Sequence, residues 1–88
     1  MKEKSLTLKN PNGLHARPAA ELVRLAGQFK CDVIIINHTT KNKVNAKSIL
    51  QLLTLAATYM SELHIQCSGV DEQAALDAVS EFLDNIRK

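Results

Sequence analysis

The stretch that decides the fold covers residues 10–29 and reads NPNGLHARPAAELVRLAGQF. Its first four residues all favour a turn. From residue 16 onward, apolar side chains recur every three or four positions, at Ala19, Leu22, Val23, Ala26 and Phe29. The stretch therefore predicts a turn that leads into an amphipathic helix over residues 16–29.

Sequence on both sides of this helix predicts four strands. Residues 2–9 and 62–68 alternate apolar with polar side chains, which is typical of half-buried strands. Residues 32–38 predict a further strand and residues 43–47 a shorter one. The polar, turn-compatible residues 38–42 join these two as a hairpin.

Capping residues predict two further helices. Ser48 precedes a short apolar segment as its N-cap, and Asp71 caps a last helix whose apolar stripe ends at Ile86. The element order is therefore βαββαβα, an α+β fold in which one sheet face packs under the helices. The same order of elements also fits a ferredoxin-like domain, so the topology stays open here.

The composition of the 88 residues excludes several classes of protein. Hydrophobic residues make up 45% of the chain, which excludes a disordered protein. The absence of Trp, and an aromatic content of 3%, predict an aliphatic core. We expect residues 1–88 to form a single domain, too small for an interdomain cleft or a large cofactor pocket. We therefore expect no cofactor.

Charge and cysteine usage point to a cytoplasmic protein. Eleven basic and nine acidic residues are interspersed, without the basic cluster of a nucleic-acid-binding protein. No signal peptide is evident, and the apolar run Val33 to Ile36 is far too short to insert into a membrane. We expect Cys31 and Cys67 to be reduced, partly buried thiols.

The most informative residue is His15, where the turn meets the first helix. A helix N-terminus exposes unpaired amides and the positive end of the helix dipole, so it binds anions and disfavours a positively charged imidazole. Arg17 adds a permanent charge that can pair with phosphate oxygens. Pro18 fits the first helical turn, and Gly13 permits a tight approach. These features suit a histidine that accepts a phosphoryl group covalently.

One blander interpretation of His15 remains. His15 could be an exposed side chain beside an ordinary helix start. A metal site is not expected, because His15, His38 and His64 lack ligand spacing and no carboxylates cluster near them.

Three motifs resemble the HPr family, the histidine-containing phosphocarriers of the bacterial sugar phosphotransferase system. They are Asn12-Gly-Leu-His-Ala-Arg-Pro-Ala-Ala20, Val44-Asn-Ala-Lys-Ser-Ile49 and Cys67-Ser-Gly-Val-Asp-Glu-Gln73. The resemblance implies an open-faced β-sandwich, with a four-stranded antiparallel sheet carrying three helices on one face. It also implies that His15 accepts phosphate at Nδ1 from enzyme I, which is itself phosphorylated by phosphoenolpyruvate. His15 would then pass the phosphate to IIA domains of sugar permeases. Arg17 and the backbone amides of Ala16 and Arg17 would hold the phosphate.

The resemblance further implies that Ser48 is a regulatory phosphorylation site. Its partners would be an HPr kinase/phosphorylase and a catabolite-control transcription regulator. A phosphate there suits the helix N-terminus and would lie beside Ile49, Leu50 and Leu53, which we interpret as a partner-docking patch. We expect Lys47 to place positive charge beside Ser48, as Arg17 does beside His15.

Several positions depart from the family pattern. Gln51, Ala56 and Met60 stand where glycine or small residues are expected, and Met60 would be strained in a left-handed conformation. Two alternative functions stay open: a regulatory paralogue that acts mainly through Ser48 or serves a non-sugar phosphotransfer chain, and a ferredoxin-like ligand-binding module. Ile34 and Ile36 would face the open side of the sheet, as tolerated surface residues or as a self-association surface.

Overall fold

A computed structural model describes residues 1–9, 13–55 and 60–86. It contains four strands and three helices in the predicted βαββαβα order. The strands are β1 (Lys2–Thr7), β2 (Asp32–Asn37), β3 (Asn42–Asn45) and β4 (Glu62–Ser68). The helices are α1 (Ala16–Ala26), α2 (Ile49–Thr54) and α3 (Glu72–Asp84). The α+β class predicted from the sequence is confirmed.

The strands form one sheet in the order β1-β4-β2-β3, and all three pairings are antiparallel. A ferredoxin-like domain is built on a split βαβ unit, which requires two parallel strands. The ferredoxin-like topology is therefore excluded. The three helices cover one face of the antiparallel sheet, which makes the fold an open-faced β-sandwich.

Alternation along β2 shows which face is covered. Val33 and Ile35 are fully buried under the helices, whereas Ile34 and Ile36 are half-buried on the open face. The predicted orientation of all four side chains is confirmed. Self-association through Ile34 and Ile36 stays a prediction, for which analytical sedimentation at high protein concentration is the test.

Several elements end earlier than the sequence predicts. The strand β2 ends at Asn37 rather than at residue 38, and β3 ends at Asn45 rather than at residue 47. The helix α1 ends at Ala26 rather than at residue 29, because Gly27 weakens the last turn. The strand β1 ends at Thr7, yet Leu8 remains fully buried. The Leu8 amide donates to the carbonyl of Ser61 at 2.9 Å, so the chain stays attached to the sheet just before the site described below.

Asp71 occupies the predicted N-cap position of α3, but its side chain does not cap that helix. The two carboxylate oxygens instead accept hydrogen bonds from the amides of Lys30, at 2.8 Å, and Cys31, at 2.9 Å. These bonds, that of Lys30 first, lower the pKa of Asp71. The predicted cap was wrong because the loop after α1 competes for the same carboxylate. Asp71 thus fastens that loop to the start of α3.

The two cysteines are free, as predicted, but both are buried in the core rather than partly buried. Burial raises the pKa of both thiols, that of Cys67 to about 11. Gly69 packs directly on Cys31: a Cβ at this glycine would lie 2.6 Å from the Cys31 Cα. The φ of 150° at Gly69 is one that other residues rarely adopt. A glycine is therefore required where β4 turns into α3.

Candidate functional site

The chain enters α1 through Gly13, Leu14 and His15. Gly13 has a φ of 66°, in the left-handed region that glycine enters without strain. Leu14 is buried and anchors the turn in the core, whereas His15 is exposed. Residues 10–12, the first part of the predicted turn, lie outside the described residues. This junction holds an exposed imidazole directly next to a buried anchor.

His15 is the N-cap residue of α1, with an extended backbone at φ −87° and ψ −172°. Its carbonyl accepts the first helical hydrogen bond, from the Ala19 amide at 3.0 Å. Pro18 has no amide hydrogen, and the amides of Ala16 and Arg17 precede the first helical donor and have no partner within the helix. The first turn carries no acidic residue. The helix start beside His15 is therefore suited to an anion.

Arg17 is exposed on the first turn of α1, two residues after His15. Its side chain lines a cleft of about 590 Å³ between α1 and α3. Glu21 and Glu81 also line this cleft, and its apolar wall includes Leu25 and Phe82. Arg17 thus stands where the cleft meets the start of α1, and its guanidinium is accessible to a ligand or partner.

Ser48 is the N-cap residue of α2, as predicted. Its Oγ accepts a hydrogen bond from the Gln51 amide at 3.3 Å, and its carbonyl accepts one from the Leu52 amide at 3.0 Å. The first turn of α2 contains no acidic residue. The serine is half-buried. A negative charge on Ser48 would meet the positive end of the helix dipole rather than another negative group of that turn.

Lys47 does not place its charge beside Ser48, contrary to the expectation from the sequence. Its Nζ donates to the carbonyl of Phe29 at 2.7 Å, which ties the ammonium to the end of the α1 segment. The Gln51 side chain, by contrast, is hydrogen-bonded to the segment before Ser48. Its Oε1 accepts a hydrogen bond from the Asn45 amide at 2.8 Å. The sequence could not show this, because a lysine next to a serine gives the same pattern whichever way its side chain turns.

The predicted docking patch lies on the exposed side of α2. Ile49 is 37% exposed, Leu50 75% and Leu53 47%. Leu52 and Leu55 on the opposite side are buried in the core. The short helix therefore anchors itself with one apolar face and presents a second one to solvent.

Met60 adjoins the return from α2 to β4 and has the left-handed φ of 69° that the sequence made plausible. Its amide donates to the carbonyl of Leu8, which fixes the backbone in that conformation. The described helix α2 ends at Thr54, so Met60 lies beyond it. Ala56 lies outside the described residues.

One polar network was missed by the sequence analysis. On the open face of the sheet, Ser5 Oγ and His64 Nδ1 are 2.7 Å apart, and His64 Nε2 is hydrogen-bonded to Glu3 Oε1. The alternation of β1 and β4 places all three side chains on polar faces. No sequence signal shows that these two strands, nearly sixty residues apart, are neighbours in the sheet.

Within residues 1–9, 13–55 and 60–86, no group of three His, Cys, Asp or Glu side chains could hold a metal ion. Over the same described residues, no helix has the length and apolar character needed to cross a membrane.

Fold and site together define a small open-faced β-sandwich with an exposed histidine at the start of its first helix. The family model of the phosphotransferase-system HPr component phosphorylation site matches residues 2–85. The phosphocarrier protein HPr of Treponema pallidum is 39% identical over 82 residues, covering 93% of this chain and 91% of that protein. The chain belongs to the HPr family of phosphocarrier proteins.

Solved structures agree with this assignment. The crystal structure of HPr-C-His from Thermoanaerobacter tengcongensis superimposes with a TM-score of 0.88 at 34% identity, covering 96% of this chain and 92% of that one. The Bacillus subtilis catabolite repression containing protein Crh matches with a TM-score of 0.75 at 36% identity, covering 96% and 94%. The fold implied by the family resemblance is confirmed.

Proposed function

We propose that this chain accepts a phosphoryl group on His15 from phosphorylated enzyme I and passes it to IIA domains of sugar permeases. The observation that carries the proposal is the exposed His15 at the N-cap of α1, next to first-turn amides that have no helical partner. Membership of the HPr family supports the same chemistry.

The transfer needs little machinery from this chain. A ring nitrogen of His15, Nδ1 by family resemblance, attacks the phosphorus while the bond to the donor on enzyme I breaks. The amides of Ala16 and Arg17 then receive the phosphate oxygens, and the Arg17 guanidinium supplies a charge-assisted hydrogen bond. Transfer to a IIA domain reverses these steps, so the partners complete each active site in turn.

The exposed apolar side of α2 supplies the docking surface in this proposal. Ile49, Leu50 and Leu53 form a patch that a partner can cover, and Leu50 is three-quarters exposed. Burial of such side chains contributes roughly 1.5–3 kcal/mol each when complete. Enzyme I and IIA domains would use this patch to place their own phosphate site against His15.

Ser48 adds a regulatory site to the proposal, to be phosphorylated by an HPr kinase/phosphorylase. Its Oγ already faces the N-terminus of α2, so a phosphate there is compatible with the fold. The charge would stand at the edge of the apolar patch, where a partner must remove water from it to dock. Phosphorylation of Ser48 would therefore weaken the docking of enzyme I and IIA domains on the patch. The phosphorylated surface would then be available to a catabolite-control transcription regulator.

The match to Crh, a catabolite repression protein by its name, favours a second candidate. In this alternative the chain is a regulatory paralogue that acts mainly through Ser48, or a carrier for a non-sugar phosphotransfer chain. The presence of His15 favours the carrier in sugar uptake, since a purely regulatory chain needs no nucleophile at that position.

A reconstituted relay tests the proposal. Phosphoenolpyruvate, enzyme I and a IIA domain are mixed with the wild-type chain, with the His15→Ala variant, or without either. Phosphorylated IIA should form with the wild type and should stay at background with the variant. Equal IIA phosphorylation with wild type and variant would refute the carrier role.

A further inference from the structure

A second hydrogen-bonded relay lies on the open face of the sheet, on strands β1 and β4 and apart from the start of α1. It joins Glu3, His64 and Ser5, and antiparallel pairing sets Ser5 directly opposite His64. The Ser5 Oγ is 2.7 Å from His64 Nδ1, and His64 Nε2 is bonded to the Glu3 carboxylate. The serine hydroxyl, the imidazole and the carboxylate are therefore hydrogen-bonded in series. A nucleophile, a base and a group that orients the base, connected in this order, are the pattern of an activated serine.

The hydrogen bonds define the role of each group. An ionised carboxylate can only accept hydrogen bonds, so in the neutral ring Nε2 carries the proton and donates a hydrogen bond to Glu3. Nδ1 then has the lone pair that accepts the hydrogen bond of the Ser5 hydroxyl. The bond from His64, and after it the bond from Gln66, lowers the pKa of Glu3 and keeps it in the accepting form.

The surroundings hold the base and leave the nucleophile accessible. The His64 side chain is 20% exposed, and the His38 ring contacts it edge-on with centroids 5.6 Å apart. Ser5 itself is exposed. It also lines a cavity of about 390 Å³, together with Thr7, His38, Lys41 and Glu62. This cavity offers room for a small group beside the Ser5 hydroxyl.

We propose that Ser5 is an acylation site, at which the serine accepts acyl groups from activated carboxylic esters. The Ser5 Oγ forms a bond to the ester carbonyl carbon while its proton moves to His64 Nδ1. The bond between that carbon and the alcohol oxygen then breaks, and the alcohol leaves with the proton from His64. The products are O-acyl-Ser5 and the alcohol, and no oxidant, reductant or metal is needed.

The test uses p-nitrophenyl acetate with the wild-type chain, and peptide mass mapping locates the acetyl groups. Mapping separates Ser5 from the neighbouring Lys2 and Lys4, which also react with this ester. Ser68 is the internal reference, since it is exposed and lies on the same face at the far end of β4. General-base assistance should make Ser5 react about a hundredfold faster than Ser68.

Variants then assign the relay. His64→Gln should bring Ser5 down to the rate of Ser68, and Glu3→Gln should lower the Ser5 rate to a value between the two. Ser68→Ala should leave Ser5 labelling unchanged. Labelling of Ser5 no faster than Ser68 in the wild type would overturn the proposal, even if His64→Gln fails to fold. Fast Ser5 labelling that survives in a folded His64→Gln chain would overturn it as well.

Discussion

The carbonyl oxygen of His15 accepts the first hydrogen bond of α1, from the amide of Ala19 at 3.0 Å. This bond makes His15 the N-cap, so its side chain stands beside the amides of Ala16 and Arg17 rather than inside the helix. A phosphate on the His15 ring would therefore meet donors that α1 already holds in place. Such donors need no reorganisation when the phosphoryl group arrives.

Replacing Arg17 tests its part in holding the phosphate. We predict that Arg17→Gln slows transfer from enzyme I roughly tenfold to a hundredfold, because a hydrogen bond to a charged group contributes about 1.5–3 kcal/mol. Stability should change by less than about 0.5 kcal/mol, since the side chain is exposed. Arg24→Gln, near the other end of α1, is the matched control and should transfer at the wild-type rate. Equal rates for the two variants would exclude this role for Arg17.

Ser48 combines two effects that two variants can separate. Ser48→Ala removes the cap on the Gln51 amide and should lower the free energy of unfolding by about 1 kcal/mol, with transfer from enzyme I unchanged. Ser48→Asp should keep the cap and the stability, but should slow transfer because its charge borders the docking patch. Chemical denaturation and transfer kinetics measure the two effects. The regulatory interpretation fails if Ser48→Asp accepts phosphate as fast as the wild type.

Met60 is one of two non-glycine residues with a positive φ in the described part of the chain; the other is Lys41, in the turn between β2 and β3. A left-handed conformation costs an ordinary residue roughly 1–2 kcal/mol. We predict that Met60→Gly and Lys41→Gly each raise the free energy of unfolding, by about 1 kcal/mol or less. Lys43→Gly in β3 is the control, and it should lower stability because a strand glycine costs about 0.5–1 kcal/mol. Destabilisation by all three variants would show that neither turn is strained.

Asp71 predicts a pH dependence of stability. Its pKa in the folded chain lies below the ordinary 3.8, so its stabilising contribution is complete above that value and is lost as the pH falls through the folded pKa. Asp71→Asn has one accepting oxygen where the wild type uses two, so it should be less stable at neutral pH. The difference should shrink below about pH 4 as the wild-type carboxylate becomes protonated. Urea denaturation across this range is the measurement, and a pH-independent difference would contradict the prediction.

The sequence predicts most of the fold because periodicity and turn residues are local signals. The β4 bounds predicted at residues 62–68 agree with Glu62–Ser68, and Ser48 caps α2 as expected. The end of α1 was placed three residues too late, since Phe29 continues the apolar spacing although Gly27 has already weakened the helix. An apolar residue packed on the core after a helix cannot be distinguished by spacing from one inside it.

Contacts between distant segments could not be predicted in this way. Asp71 looks like a helix cap in the sequence, and only the fold shows that Lys30 and Cys31 take its carboxylate. Lys47 likewise turns to Phe29 rather than to Ser48. His15 was found because its neighbours in sequence are also its neighbours in space. The partners of His64 were missed because they lie on β1, which is close to His64 in space but far from it in sequence.

The central claim is that His15 carries the phosphoryl group, and one measurement tests it most directly. The chain is incubated with phosphoenolpyruvate and enzyme I, and its intact mass is recorded before and after brief acid treatment. We predict a single acid-labile phosphate adduct on the wild type and on a Ser48→Ala variant, and none on His15→Ala. An adduct that persists in His15→Ala, or a wild-type chain that gains no phosphate from active enzyme I, would contradict the account.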